Sequence, residues 1–136
     1  MDLATLVSTW SKDRSRKVGS VIVDSRNVLV SLGWNGFPRG IDDDVDRRHE
    51  RPEKYFWAEH AERNAIYNAA ANGHTLRGCR LYVLLFPCAS CTRAIIQSGI
   101  QEVITGEPDW NDYKYKESFR ASLRMLGEAE VYVRFV

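Results

Sequence analysis

The strongest constraint on the fold is a junction. Residues 80–86 read as a strongly apolar strand that stops at Pro87, and Cys88 to Ser98 reads as a helix with apolar Ala94 and Ile95 and a stop at Gly99. The junction carries Pro87-Cys88-Ala89-Ser90-Cys91. Two cysteines with two residues between them can face one ion from a single helical turn. Proline suits the entry to such a helix, and the free N–H groups of its first turn favour thiolate. A chain that places this junction in its middle has to put strands and helices in alternation around it.

The rest of the pattern supplies that alternation. Leu3, Leu6, Val7 and Trp10 recur at helical spacing and predict an apolar stripe, with Asp2 as the N-cap. Residues 18–23 and 28–32 are short and rich in β-branched side chains, with a turn at 24–27, and predict a hairpin. Residues 33–51 are polar and broken by glycine and proline, which predicts a long loop holding at most a helical turn; loops of this length are usually functional. A helix is expected over 58–71 with Ala61, Ala65, Ile66, Ala69 and Ala70 inward, then a strand over 100–105, a loop over 106–113, a helix over 116–126 and a closing strand over 131–136. Alternating elements of this kind call for a mixed sheet covered on both faces. With 136 residues and no linker or repeat, we expect one domain, 1–136.

A second motif, His60-Ala61-Glu62, lies near the start of the helix expected over 58–71. One imidazole and two thiolates make three ligands for Zn2+, and a zinc held by three protein ligands keeps a fourth position for water. His60, Cys88 and Cys91 are therefore the expected metal ligands. Glu62 need not be one: a carboxylate beside such a water can take up and deliver its proton. The competing arrangement is a closed structural site with Cys79 as fourth ligand, although a small thiol beside an apolar strand is ordinarily core.

Charge and cysteine count narrow the surroundings. The formal net charge is +1, so a broad basic track for a nucleic acid polymer is not expected. The basic runs Lys12, Arg14, Arg16, Lys17 and Lys114, Lys116 are solvated surface or places where a single phosphate is met. Three cysteines do not make a disulfide framework and suit a reducing compartment. The first ten residues lack the basic and apolar regions of a secretory signal, and no run reaches the roughly 18 apolar residues of a membrane span. We expect a cytoplasmic protein with no membrane partner.

At these residues the sequence resembles the cytidine and deoxycytidylate deaminase family, whose pattern joins H-x-E to P-C-x-x-C. The likeness runs from about Ser11 to Thr105 and includes Ser11-Lys12-Asp13, the 18–23 strand, Gly33-Trp34-Asn35-Gly36-Phe37-Pro38-Arg39-Gly40, His60-Ala61-Glu62-Arg63-Asn64-Ala65-Ile66 and Tyr82 to Cys88. It implies an α/β, three-layer α-β-α cytidine deaminase-like fold with a five-stranded mixed sheet. It also implies hydrolysis of dCMP to dUMP and ammonia, with zinc on His60, Cys88 and Cys91. Glu62 would move protons from water to ring N3 and to the departing amine. The Ala61 N–H would meet the ring carbonyl and Asn35 the deoxyribose hydroxyl, unless Asn35 is simply a turn residue. Trp110 would stack on the pyrimidine, or be a core or surface tryptophan. Arg16 and Lys17 are the first choice for the phosphate, then Lys114 and Lys116. A homo-oligomer, often a hexamer, and deoxynucleoside triphosphate effectors are further implications. The alternatives are deamination of another nucleoside, free base or RNA base, or a non-catalytic zinc-binding interaction domain. Trp34, Arg39 and Glu59 depart from the family pattern, and His49 is a further histidine that would either join a second zinc or lie at the surface.

Overall fold

The computed structural model describes all residues, 1–136. Its helices are α1 (Asp2–Ser8), α2 (Lys54–Trp57), α3 (Ala61–Ala71), α4 (Ala89–Gln97) and α5 (Lys116–Glu128), with a 3-10 turn at Asp46–His49. Its strands are β1 (Gly19–Val23), β2 (Leu29–Trp34), β3 (Arg80–Val83), β4 (Glu102–Thr105) and β5 (Tyr132–Phe135). They form one five-stranded sheet in the order β2-β1-β3-β4-β5. β1 runs antiparallel to both β2 and β3, while β3, β4 and β5 are parallel, with α4 and α5 as the crossovers.

The pleat sorts the sheet's side chains onto two faces. Ile22, Leu81, Val83 and Val103 pack with Ala65 and Ala69 of α3, Ile95 of α4 and Leu126 of α5. Val21, with Tyr82, Val23 and Leu32 beside it, packs under Ala4 and Val7 of α1. Helices on both faces of a mixed sheet make the three-layer α-β-α fold that the resemblance implied.

Two glycines set the layer spacing. A Cβ on Gly33 would lie 2.3 Å from the Ala65 nitrogen and 2.6 Å from the Ala61 carbonyl oxygen. The alanine stripe Ala61, Ala65, Ala69 therefore lies directly on β2. Polar clamps fix it there: Asn64 Nδ2 donates to the Trp34 carbonyl, Asn68 Nδ2 to the Leu32 carbonyl and Ser31 Oγ to the Ala65 carbonyl, each at 2.7 Å. On the other face a Cβ on Gly19 would lie 2.0 Å from the Ala4 oxygen.

That second contact corrects one expectation. Leu3, Leu6 and Trp10 are 43%, 55% and 49% exposed, and only Val7 of the four stripe residues is buried. Close approach to Gly19 needs small residues, so Ala4 and Ser8 take the inner face of α1 and the large side chains turn outward. Asp2 lies inside the first turn and Met1 occupies the N-cap position. Ala70 is likewise exposed.

Candidate metal centre and its rim

The helix expected from residue 58 begins three residues later, and the delay places a ligand. Gly36 and Glu59 exchange two backbone hydrogen bonds, of 3.0 and 2.8 Å, which hold residue 59 extended. Glu59 Oε1 then accepts the His60 N–H at 2.9 Å, and its carboxylate pairs with Arg63 one turn on. His60 is thereby fixed at the N-cap of α3 with extended backbone. Cys88 occupies the equivalent N-cap of α4, also extended, and Cys91 lies in that helix's first turn, fully buried. Two helix starts, packed side by side, bring the three residues together.

The imidazole Nδ1 lies 3.6 Å from Cys88 Sγ and 3.4 Å from Cys91 Sγ, and the three donor atoms are all within 4.8 Å of one another. Ligands at about 2.05 Å (N) and 2.3 Å (S) in tetrahedral array would stand about 3.6 Å apart. The donor set fits zinc in its spacing and in its donor types, one imidazole and two thiols. The Cys88 thiol is pushed down to about 3, chiefly by the hydrogen bond from Cys91 and further by His60. Cys91, facing that thiolate and buried beside Glu62, is pushed up. His60 is raised by its contact with Cys88. The three groups are coupled through hydrogen-bond contacts in one cluster.

Glu62, 4% exposed, stands in the first turn of α3 outside the donor set. Burial raises its carboxyl above the usual range. Ala61, fully buried, is the first residue of α3, where a backbone N–H has no acceptor within the helix. Cys79 lies outside this donor group, buried in the main hydrophobic cluster with its thiol 3.9 Å from the Thr75 carbonyl, so it behaves as core.

Asn35 is committed on both ends. Its Oδ1 accepts the Val18 N–H at 2.7 Å and its Nδ2 donates to the Arg16 carbonyl at 2.8 Å, leaving one N–H and one lone pair. Arg16 and Lys17 are exposed, and the recorded contacts of Arg16 run through its backbone. The Trp110 ring is 5.8 Å from that of Phe86, two residues before Cys88, and its N–H donates to Glu107 at 3.3 Å. Lys114 reaches across to Tyr55. His49 stacks on Phe37 at 4.7 Å, with Nε2 2.6 Å from the Asp43 carbonyl.

Several organising residues had no clear sequence signal. Ser11, buried, donates to the Asn35 carbonyl at 2.7 Å. Lys54 Nζ meets both carboxylate oxygens of Asp13, at 3.0 and 2.8 Å, in a nearly buried pair that ties the 11–16 segment to α2. Only the Glu59–Arg63 pair could have been found, from its four-residue spacing on a helix. A cleft of about 320 Å³, lined by Trp10, Trp34, Phe37 and Arg39 among others, has none of the three donors in its lining. At its edge Lys12 and Arg14 are engaged by Asp43 and Asp46. No helix is long and apolar enough to cross a membrane.

Three candidate metal donors at two helix starts, with a buried carboxyl beside them on a three-layer α/β scaffold, mark a zinc-binding α/β protein. The chain belongs to the cytidine and deoxycytidylate deaminase family, whose zinc-binding region matches residues 1–107. It is 41% identical over 132 residues to a probable deoxycytidylate deaminase of Caenorhabditis elegans, covering 95% of this chain. It is 39% identical over 132 residues to the deoxycytidylate deaminase of Homo sapiens, covering 93% of this chain and 73% of that protein. The chain spans 64% of the length of the nematode relative and of its Drosophila melanogaster counterpart. The dCMP deaminase of cyanophage S-TIM5, solved in complex with dCMP and dUMP, superposes with a TM-score of 0.79 at 25% identity, covering 99% of this chain and 92% of that one.

Proposed function

We propose that the chain is a zinc-dependent hydrolase that converts dCMP and water to dUMP and ammonia. The observation that carries this reading is Glu62: a buried carboxyl that is not a ligand, beside three converging donors. A closed structural site has no use for such a group. The names of the relatives, and the nucleotides bound by the phage enzyme, support the choice of substrate.

His60, Cys88 and Cys91 hold the metal, which when bound supplies a water acidified to a pKa of about 7. Glu62 takes one proton from the attacking water and delivers it to ring N3 as the C4–O bond forms, then takes the second from the hydroxyl on C4 and gives it to the amine as the C4–N bond breaks. The Ala61 N–H donates to the ring carbonyl. The remaining N–H of Asn35 meets the deoxyribose hydroxyl, Trp110 covers the pyrimidine, and Arg16 and Lys17 add positive charge on the Asn35 side. In this reading residues 1–136 work as one domain, as a homo-oligomer in the cytoplasm. The cleft beside Trp34 is where a triphosphate effector would be sought. Light scattering tests the oligomer.

The mechanism is tested by Glu62→Gln. Turnover of dCMP should fall by roughly 10²- to 10⁴-fold, the usual weight of a positioned acid–base group, while zinc content stays at the wild-type level. Loss of zinc in that variant would make Glu62 a ligand and remove it from proton transfer.

A further inference from the structure

His60 and Cys88 hold equivalent posts. Each is the N-cap of its helix with extended backbone, and neither side chain makes a capping hydrogen bond. An N-cap side chain ordinarily accepts an N–H of the first turn. An imidazole or a thiol turned to a metal is committed elsewhere, so both helices begin with their first N–H groups unanswered by their own caps.

The two starts then differ. The Ala61 N–H of α3 has no acceptor within the protein, whereas the equivalent Ala89 N–H of α4 donates to Ser118 Oγ at 2.9 Å. Ser118 belongs to α5, 29 residues further along the chain. The next residue of α5 holds the same junction from its strand side: Phe119 packs edge-on against buried Phe86, 5.6 Å between ring centres, just before Pro87. Ser118 and Phe119 thus grip the strand-to-helix junction on either side of Pro87-Cys88.

The Ala89 N–H belongs to the peptide that joins Cys88 to its helix. A bond to it holds that peptide plane and, with it, the Cys88 ψ of 167°. Cys91 lies in the same turn, fully buried. Whatever fixes the start of this turn fixes how the two thiols stand to one another. The Arg93 to Ser90 hydrogen bond of 3.1 Å is exposed and internal to α4, so it ties the turn to nothing else.

We infer that Ser118 is a positioning residue of the metal centre: it caps α4 from another helix, in place of Cys88, and so sets the aim of the Cys88–Cys91 pair. This inference rests on the zinc deaminase reading and deepens it. Ser122, one turn further along α5, is the control. It is fully buried and its hydroxyl has no partner, so its removal alters the packing of the same helix without taking away a cap.

The test measures zinc affinity by competition with a chromophoric chelator, the visible absorption of the cobalt-substituted protein, and kcat and KM for dCMP. Ser118→Ala should weaken zinc binding by roughly 10- to 100-fold, the usual result of losing a group that orients a ligand. It should also shift the thiolate-to-cobalt bands and act on kcat rather than KM. Ser122→Ala should leave all of these at wild-type values. Ser118→Thr keeps the acceptor and should stay near wild type, while Ser118→Val, of the same shape as threonine, should behave like the alanine variant. That isosteric pair carries the comparison if Ser118→Ala folds poorly. Wild-type zinc affinity and cobalt absorption in Ser118→Ala and Ser118→Val, equal changes in Ser122→Ala, or a threonine variant that behaves like valine would overturn the inference and leave the deaminase reading standing. A protein that shows the expected metal responses but leaves dCMP unchanged would sink the deaminase reading and keep the positioning role. A wild-type protein that binds neither metal would overturn both.

Discussion

The metal centre and the segments that flank it in sequence are held by different means. His60 and Cys88 sit at N-caps and Cys91 in a first turn, where backbone geometry and close packing leave little freedom. Tyr55, Trp110 and Lys114 stand on short or irregular segments, held by ring contacts and single hydrogen bonds. Tyr55 is 45% exposed and Tyr113, on the same loop as Lys114, is 92% exposed. The difference predicts that damage to the centre and its support will be severe and coupled to stability, while damage to the rim will change selectivity.

The largest effect should come from the centre itself. Cys91→Ala should abolish zinc binding, read by metal analysis of the purified protein, and lower the melting temperature, because metal-binding energy contributes directly to folding. A variant that keeps full zinc occupancy would break the claim that this thiol is a ligand.

Next come the two glycines, which separate the centre from the opposite face. Gly33→Ala forces β2 away from α3, and Gly19→Ala forces β1 away from α1. Each should cost roughly 1–3 kcal/mol or more as overpacking, seen in denaturant melts. Only Gly33→Ala should also depress kcat, because α3 carries His60 and Glu62. Equal effects on kcat would show that the two faces are mechanically coupled.

A smaller effect concerns the Asp13–Lys54 pair beneath the rim. Burial alone would raise the Asp13 carboxyl, but the Lys54 ammonium and the N–H groups of Arg16 and Ser15 outweigh it, so its pKa is lowered from 3.8. A group depressed in the folded state stabilises above its unfolded pKa and loses that contribution as pH falls through its folded value. Asp13 should therefore help up to neutral pH and fade below about pH 4. Melting curves of Asp13→Asn against pH should run below wild type at neutral pH and converge with it in acid; a constant gap would remove the ion pair as the cause. The smallest effect is expected for Leu6→Ser on the outward face of α1, within about 0.5 kcal/mol of wild type. A large loss there would mean that this face is covered in solution.

Much of the centre was legible because its signals are local. Thiolate spacing, the proline before Cys88 and the strand-to-helix junction all lie within a dozen residues, and the period of the apolar positions assigned the element types. The helix starting at Ala61 rather than at 58 was not legible, because Gly36 delays it from a distance of more than twenty residues. The orientation of α1 failed for the same kind of reason: helical spacing marks a stripe, but Gly19 on another element decides which stripe fits.

The sequence by itself therefore determined the order of the elements and the mixed sheet, and marked the three candidate metal donors and the adjacent carboxyl. Only the tertiary structure decided how His60 is aimed, which face of α1 is buried, that Asn35 spends its amide on the backbone, and that Lys114 spans to Tyr55. Spacing along one helix or strand is set by backbone geometry, which neighbours in sequence share. Contacts between segments tens of residues apart depend on packing distances that no local pattern encodes.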